Sequence, residues 1–208
     1  MNGTFQPKAD EPHGPPEAAS RPLSLNRRGF VVSEGAGCIL LAKRSFADAH
    51  GLPYGTALAG WSMTSDAHHF VSPYPETVTR CIAEAISDAG VSPDRIDAIN
   101  AHATSTRIGD QVEVDALRSV FGGKLPPITA NKSLTGHAMG ASSAIEVVFA
   151  LRGIEDQRLP PTINHTPDPE LDIDCVAEGS RSVQQEYVLK NAFGFGGCNA
   201  CIVFRKRE

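Results

Sequence analysis

Residues 99–106 read Ile-Asn-Ala-His-Ala-Thr-Ser-Thr, and residues 131–137 read Asn-Lys-Ser-Leu-Thr-Gly-His. Each stretch follows a short apolar run, Ile96–Ile99 in the first case and Pro127–Ala130 in the second. Both runs predict strands. Polar side chains at the carboxyl ends of strands are where α/β folds build sites. His102, Lys132 and His137 are therefore expected to converge, although they lie far apart in the chain.

Outward from these stretches, the periodicity predicts helices on both sides. Val78, Ile82, Ala85, Ile86 and Ala89 form one apolar stripe over residues 76–89, and Gly90 closes it. Residues 110–121 carry Val114, Leu117 and Phe121 at helical spacing before Gly122 and Gly123. Residues 141–154 form a third helix, with Ile145, Val148, Phe149 and Leu151. A shorter helix is expected over residues 45–50. Phe30–Val32, Cys38–Leu41 and Thr56–Met63 read as strands, the first two kinked at glycine. Residues 187–193 and 201–204 read as two strands around the glycine-rich turn 194–197. Strand and helix alternate, and two strands end the chain. That order predicts an α/β layer with a mixed sheet covered by helices.

Residues 1–26 look different. Five of the chain's 15 prolines fall within its first 22 residues, and apolar residues there are sparse. Such a segment buries too little surface to offset the entropy of ordering it, so 1–26 reads as a tail or linker and 27–208 as the domain. The 208-residue length suits one sizeable domain, and 41% hydrophobic with 21% charged residues is ordinary for a globular chain. No apolar run reaches the ~20 residues of a membrane span. Five cysteines without dense spacing, and no signal-peptide pattern, suit a cytoplasmic location. A net charge of −5 argues against nucleic acid as a partner.

Two histidines and a lysine can do particular chemistry together. Imidazole N–H groups can donate to a developing oxyanion or enolate. A histidine can also act as a general base near working pH. A neighbouring lysine can hold a histidine neutral or fix its orientation. The competing view is that each histidine is a satisfied structural residue. Weaker signals read more simply. Cys198 and Cys201 suggest a metal or redox pair, but positions i and i+3 of a strand face opposite sides. The turn 194–197 precedes a strand rather than a helix, so it is not a dinucleotide cradle. His68 and His69 read either as part of a substrate-facing loop or as exposed loop residues. The basic end, Arg205–Arg207, reads as a solvated tail.

Residues 102–106 resemble the His-Gly-Thr-Ser-Thr motif of β-ketoacyl-[acyl carrier protein] synthases, and 132–137 resemble that family's Lys-Ser-x-x-Gly-His. Residues 191–199 are similar to its Asn-Ser-Phe-Gly-Phe-Gly-Gly-Thr-Asn. Gly29–Val31 with Glu34–Gly37, and Pro160–Thr162, also fit in order. The resemblance runs from about Ser20 onward and implies the C-terminal half of a thiolase-like fold. It implies that His102 and His137 bind the thioester carbonyl during decarboxylative Claisen condensation of acyl and malonyl thioesters. Lys132 would pair with Glu113 and support His137, and Asp110 would belong to the same network. Thr104 and Thr106 would contact the phosphopantetheine arm of an acyl carrier protein, and Phe195 would gate the pockets. No cofactor is required. Asn100, Glu146, Asn191 and the Ala192 carbonyl match positions that hold a structural monovalent or divalent cation in some relatives.

The departures from the family carry equal weight. The nucleophilic cysteine belongs to an N-terminal half outside this resemblance, and none of Cys38, Cys81, Cys175, Cys198 or Cys201 has its context. This polypeptide alone is not expected to form an acyl-enzyme. A Cys-bearing ketosynthase half, or a full-length ketosynthase, is the expected partner, alongside the carrier protein. The alternative is a non-catalytic ketosynthase-like subunit or truncated product with a structural or regulatory role. Ala103 replaces the family's glycine, and a requirement for positive φ there would displace the His102 loop. The pathway, fatty acid or polyketide, is left open.

Overall fold

The computed structural model describes residues 15–177 and 179–207. In chain order the elements are α1 (Arg44–Ala49), β1 (Thr56–Ser65), α2 (Pro75–Asp88), β2 (Ala98–Asn100), α3 (Arg107–Phe121), β3 (Ile128–Thr129), α4 (Lys132–Thr135), α5 (Ser142–Asp156), β4 (Arg158–Leu159), β5 (Arg181–Ser182), β6 (Tyr187–Gly194) and β7 (Cys198–Lys206). Five strands form one sheet in the order β1-β7-β6-β2-β3. The β1–β7 and β7–β6 pairs are antiparallel, and β6–β2 and β2–β3 are parallel. The sheet is mixed, as expected. β4 and β5 form a separate two-stranded ribbon.

Alternation along the strands sorts the core into two layers. Ile99, Leu189, Cys201 and Val203 point to one face, where Val78, Ile82 and Ile86 of α2 and Val114 and Leu117 of α3 meet them. Ala98, Val188 and Phe204 point to the other, against Val147, Ala150 and Ile154 of α5. The stripe read from residues 76–89 is thus the buried face of α2, with Val78, Cys81, Ile82, Ala85 and Ile86 all buried. α3 begins three residues earlier than the apolar pattern implies. The Thr106 hydroxyl caps it by accepting from the Gly109 N–H at 3.2 Å, and Gly122 ends it in the left-handed region.

Two stretches depart from the sequence expectation. Of the span 1–26, residues 1–14 lie outside the described residues. Within 15–26, residues 20–24 are packed on the body, where Leu23 is 1% exposed and Ser24 is fully buried, while 15–17 and Leu25 are exposed. Cys38–Leu41, expected as a strand, forms no ladder, and among the described residues no backbone hydrogen bond involves 34–42. Its backbone is held only from beneath. A Cβ on Gly37 would lie 2.8 Å from the Ala144 backbone, so this segment rests directly on α5. Its other side is bare, with Leu40 at 89% and Leu41 at 71% exposure. Phe30–Val32 makes only isolated bridges, one of them between Val32 and His137.

Candidate active site

Parallel pairing of β2 with β3 builds the site. Asn100 pairs with Thr129, so the two strands end side by side about 4.8 Å apart. Two residues beyond those ends stand His102 and Asn131, and Lys132 follows. β6 runs parallel to β2 on its other side, so Asn191 and Phe193 reach the same edge. α4 is a single turn. Gly136, at φ +68°, turns the chain out of it, with Val31 and Ser33 packed so closely that a Cβ would clash. The backbone of His137 is then clamped: its N–H donates to the Val31 carbonyl at 2.7 Å, and its carbonyl accepts from Ser33 at 3.1 Å.

The His102 and His137 rings face each other edge-on, with centroids 5.8 Å apart. Both Nδ1 atoms are engaged inside the protein. Lys132 Nζ lies 3.5 Å from His102 Nδ1 and donates to the His102 carbonyl at 2.5 Å. Ser142, at the start of α5, places its Oγ 3.0 Å from His137 Nδ1. Lys132 can only donate, so His102 Nδ1 accepts and that ring's proton sits on Nε2, whereas the Ser142 hydroxyl can donate to or accept from His137 Nδ1. Both rings are held neutral. Burial drives His102 well below its ordinary value, and the charges of Lys132 and Lys190 add to this. Burial, then Lys132, lowers His137 to about 4, with Glu146 pulling the other way. Two neutral imidazoles thus bracket the space between them, their rings edge to face.

An aromatic wall borders that space. Phe193 lies 5.6 Å from the His102 ring and Phe30 lies 5.3 Å from the His137 ring. Phe195, 46% exposed in the β6–β7 turn, stacks on Phe70 at 5.7 Å and reaches Phe30 at 6.3 Å. His69, in the loop before α2, accepts from the Val71 and Ser72 N–H groups and so serves its own loop. Thr104 and Thr106, in the loop that follows His102, join hydroxyls at 3.0 Å.

The carboxylates are arranged differently from the expectation. Lys132 pairs with Glu146, at 2.5 Å, and not with Glu113. Both Glu113 oxygens are already occupied, accepting from the His102 and Ala103 N–H groups at 2.8 Å each and from the Asn191 amide at 3.0 Å. Glu113 therefore fixes the backbone of the His102 loop. Glu146 lies one turn beyond Ser142 on the same face of α5, so one helix face supports both His137 and Lys132. Burial pushes Glu146 up, but Lys190 and Lys132 hold it below the usual carboxylate range. Lys132 itself is lowered by burial against the pull of Glu146. Asp110 also serves another purpose. It accepts from the Leu23 N–H at 2.7 Å and lies 3.9 Å from Arg27 Nε, so it anchors the segment before β1 rather than Lys132. Ala103 needs no left-handed backbone. The positive φ of this loop is at Ser105, and Ala103 is packed in the core.

The residues matched to a structural cation do not fit one here. Asn100 Oδ1 and Asn191 Oδ1 are buried without hydrogen bonds, which would suit an ion. Glu146, the one carboxylate of the set, is occupied by Lys132 and by Lys190, whose Nζ lies 2.8 Å from Oε2. A metal ion there would face two ammonium groups across one carboxylate. Among the described residues no group of three or more His, Cys, Asp or Glu could hold a metal. Cys198 is exposed and Cys201 fully buried, so the two point apart. Sequence reasoning missed Lys190, Ser142, Phe30 and Phe193. Lys190 left a signal as a single charge inside an apolar strand, and Phe30 and Phe193 lay within matched motifs without being read as site residues.

Residues 56–166 match the model for the beta-ketoacyl synthase, C-terminal domain. The chain is 40% identical over 197 residues to 3-oxoacyl-[acyl-carrier-protein] synthase 2 of Staphylococcus aureus (strain COL), covering 92% of this chain and 48% of that protein. It is 39% identical to the protein of the same name from Coxiella burnetii, with 92% and 47% covered. Among solved structures, it superposes with a TM-score of 0.92 and 34% identity on one chain of a complex described as a type II PKS acyl-carrier protein in complex with its ketosynthase bound to the hexaketide, covering 100% of this chain and 51% of that one. The ishigamide ketosynthase/chain length factor gives a TM-score of 0.90 at 32% identity, with 99% and 49% covered. The chain spans about half the length of the curated relatives it matches.

Proposed function

Since this chain belongs to the β-ketoacyl synthase family and forms the C-terminal half of a thiolase-like fold, we propose that it supplies the imidazole side of a site for decarboxylative Claisen condensation. A cysteine thiolate from the other half of the enzyme would carry the acyl group as a thioester. A malonyl thioester on carrier-protein phosphopantetheine would place its carbonyl oxygen against the Nε2–H groups of His102 and His137. Breaking the carboxylate C–C bond releases carbon dioxide, and its electron pair becomes the enolate that these donors stabilise. The enolate carbon then attacks the acyl carbonyl and expels the cysteine thiolate. Lys132 would hold His102 and the loop backbone in place. Thr104 and Thr106 would line the path of the pantetheine arm, and Phe195 would gate it.

The supporting observation is the pair of neutral rings with centroids 5.8 Å apart and both Nδ1 atoms tied inside. The partner requirement is supported by the bare outer side of residues 35–43 and the exposure of Phe70 and Phe195 beside the site. An unpaired extended segment of this kind is completed by strand addition. We propose that the cysteine-bearing half of a ketosynthase, on this or a separate polypeptide, supplies that strand, with a carrier protein as the second partner in a cytoplasmic pathway of fatty acid or polyketide synthesis. No helix among the described residues is long and apolar enough to cross a membrane.

The test is release of labelled carbon dioxide from a malonyl-carrier thioester by this chain combined with a cysteine-bearing half. Activity should appear on mixing, and His137→Ala should lower it about 10²–10³-fold, the usual effect of removing an oxyanion donor. Full activity of the variant would refute the role of His137. A second reading, a non-catalytic ketosynthase-like subunit, is favoured by the cysteines: Cys81, Cys175 and Cys201 are buried, and the two exposed ones, Cys38 and Cys198, lie on the segment resting on α5 and at the start of β7 rather than at a helix start. Absence of turnover with every cysteine-bearing partner would select it.

A further inference from the structure

Lys190 sits in the middle of β6, follows Val188 and Leu189, and is 2% exposed. A charge buried this deeply is tolerated only when paired and hydrogen-bonded. Both conditions are met. The Lys190 Nζ lies 2.8 Å from Glu146 Oε2 and donates to the Asn191 carbonyl. The other Glu146 oxygen takes Lys132 at 2.5 Å. Lys190 is thus attached to two of the residues that the resemblance matched to an ion, and it brings the charge such an ion would bring. The position is reached from within the fold, because β6 pairs on both sides and α5 covers it.

We propose that Lys190 is a tethered cation. Its ammonium takes the place of a bound metal ion between Glu146 and the Asn191 carbonyl, and this chain closes the charge network behind Lys132 without recruiting one. This role does not depend on the condensation chemistry. It concerns what balances Glu146 in the folded chain, and it can be read from stability alone.

The experiment is thermal unfolding of the full chain in potassium, sodium, ammonium or choline chloride at one ionic strength. The wild-type chain should melt at the same temperature in all four salts. Lys190→Ala removes the charge and opens room for a small ion. It should melt about 5–10 °C lower in choline and recover at least half of that loss in potassium or ammonium. A wild-type chain stabilised by potassium or sodium over choline, or a Lys190→Ala chain that no small cation rescues, would overturn the proposal. If Lys190→Ala does not fold, wild-type crystals grown in a thallium salt decide the question. An anomalous peak beside Glu146 overturns the proposal, and its absence supports it.

Discussion

Residues 20–33 and residues 35–43 are consecutive stretches of non-helical chain ahead of α1, and they are held by opposite means. The first is bonded along its length to the loops of the site. Ser20 Oγ donates to the Lys132 carbonyl at 2.6 Å, Leu23 N–H to Asp110 at 2.7 Å, Gly29 N–H to the Ser105 carbonyl at 2.7 Å, and Ser33 N–H to the His137 carbonyl at 3.1 Å. Leu23 is 1% exposed, whereas Leu40 in the second stretch is 89% exposed. Polar residues and a proline outnumber the apolar ones in the stretch that is bonded down, and apolar residues dominate the stretch that is bare. Composition alone would assign them the other way round. What decides is whether backbone and side-chain partners exist in this chain. The first stretch has them in Asp110, Ser105 and His137, and the second has only the upper surface of α5.

The most severe way to break this contrast is to cut the buried charge that pins the first stretch. Arg27 is 3% exposed and joins Asp168 on the far side of the chain, with further bonds to the Ser24 and Arg107 carbonyls. Arg27→Met leaves Asp168 buried without its cation. Loss of one member of a buried pair costs about 3–5 kcal/mol. Urea unfolding of the isolated chain should register that loss. A change below about 1 kcal/mol would mean that the segment is not part of the cooperative unit.

A smaller effect comes from Asp110, which holds the same stretch through Leu23. Burial raises its carboxyl to about 7 from an ordinary 3.8, although the Leu23 N–H and Arg27 pull it down. Between those values the folded chain keeps a proton that the unfolded chain has lost. Its contribution is therefore full below the unfolded value and is lost as pH rises through 7. His137 has the opposite slope. It titrates at about 4 when folded and 6.5 otherwise, so stability is lost as pH falls from 6.5 toward 4. In the wild-type chain the two slopes oppose each other. Asp110→Asn removes the first, so relative to wild type it should gain about 2–3 kcal/mol between pH 5 and pH 7, at 1.36 kcal/mol per unit. Urea unfolding at the two pH values measures this. A difference between variant and wild type that does not change with pH would show that Asp110 is not the titrating group.

These same residues mark what the sequence made legible. The α2 stripe, the strand-terminal positions of His102 and Lys132, and the hairpin around residues 194–197 follow from periodicity and glycine placement, which are local properties. The partner of Lys132 was not legible. Glu113 and Glu146 are both buried helical glutamates, and only the three-dimensional arrangement reveals that Glu113 is spent on the His102 and Ala103 N–H groups. The packing of Leu23 was hidden for a related reason, since its burial depends on Asp110, 87 residues away. Cys38–Leu41 has the composition of a strand, yet a strand exists only with a neighbour. Whether a neighbour exists is not written in this stretch.

The least disruptive substitution tests the contrast most directly. Leu40→Ala removes three carbons that already face solvent, so it should leave the stability of the isolated chain within about 0.5 kcal/mol, despite deleting a large apolar side chain. If the cysteine-bearing half docks there as proposed, the same substitution should weaken that association, because the added strand would bury the leucine. Burying a leucine contributes about 1.5–3 kcal/mol, so a dissociation constant measured by titration calorimetry should rise roughly 10–150-fold. If Leu40→Ala instead unfolds the isolated chain, residues 35–43 are held by this polypeptide's own contacts. If association is unchanged, the strand is added somewhere else. Leu40 sits beside Gly37, whose missing Cβ presses the segment onto Ala144, so one side of the backbone is fixed before any partner arrives. The conformational entropy to be lost on binding is correspondingly small, and the leucine's own surface is what the affinity should report.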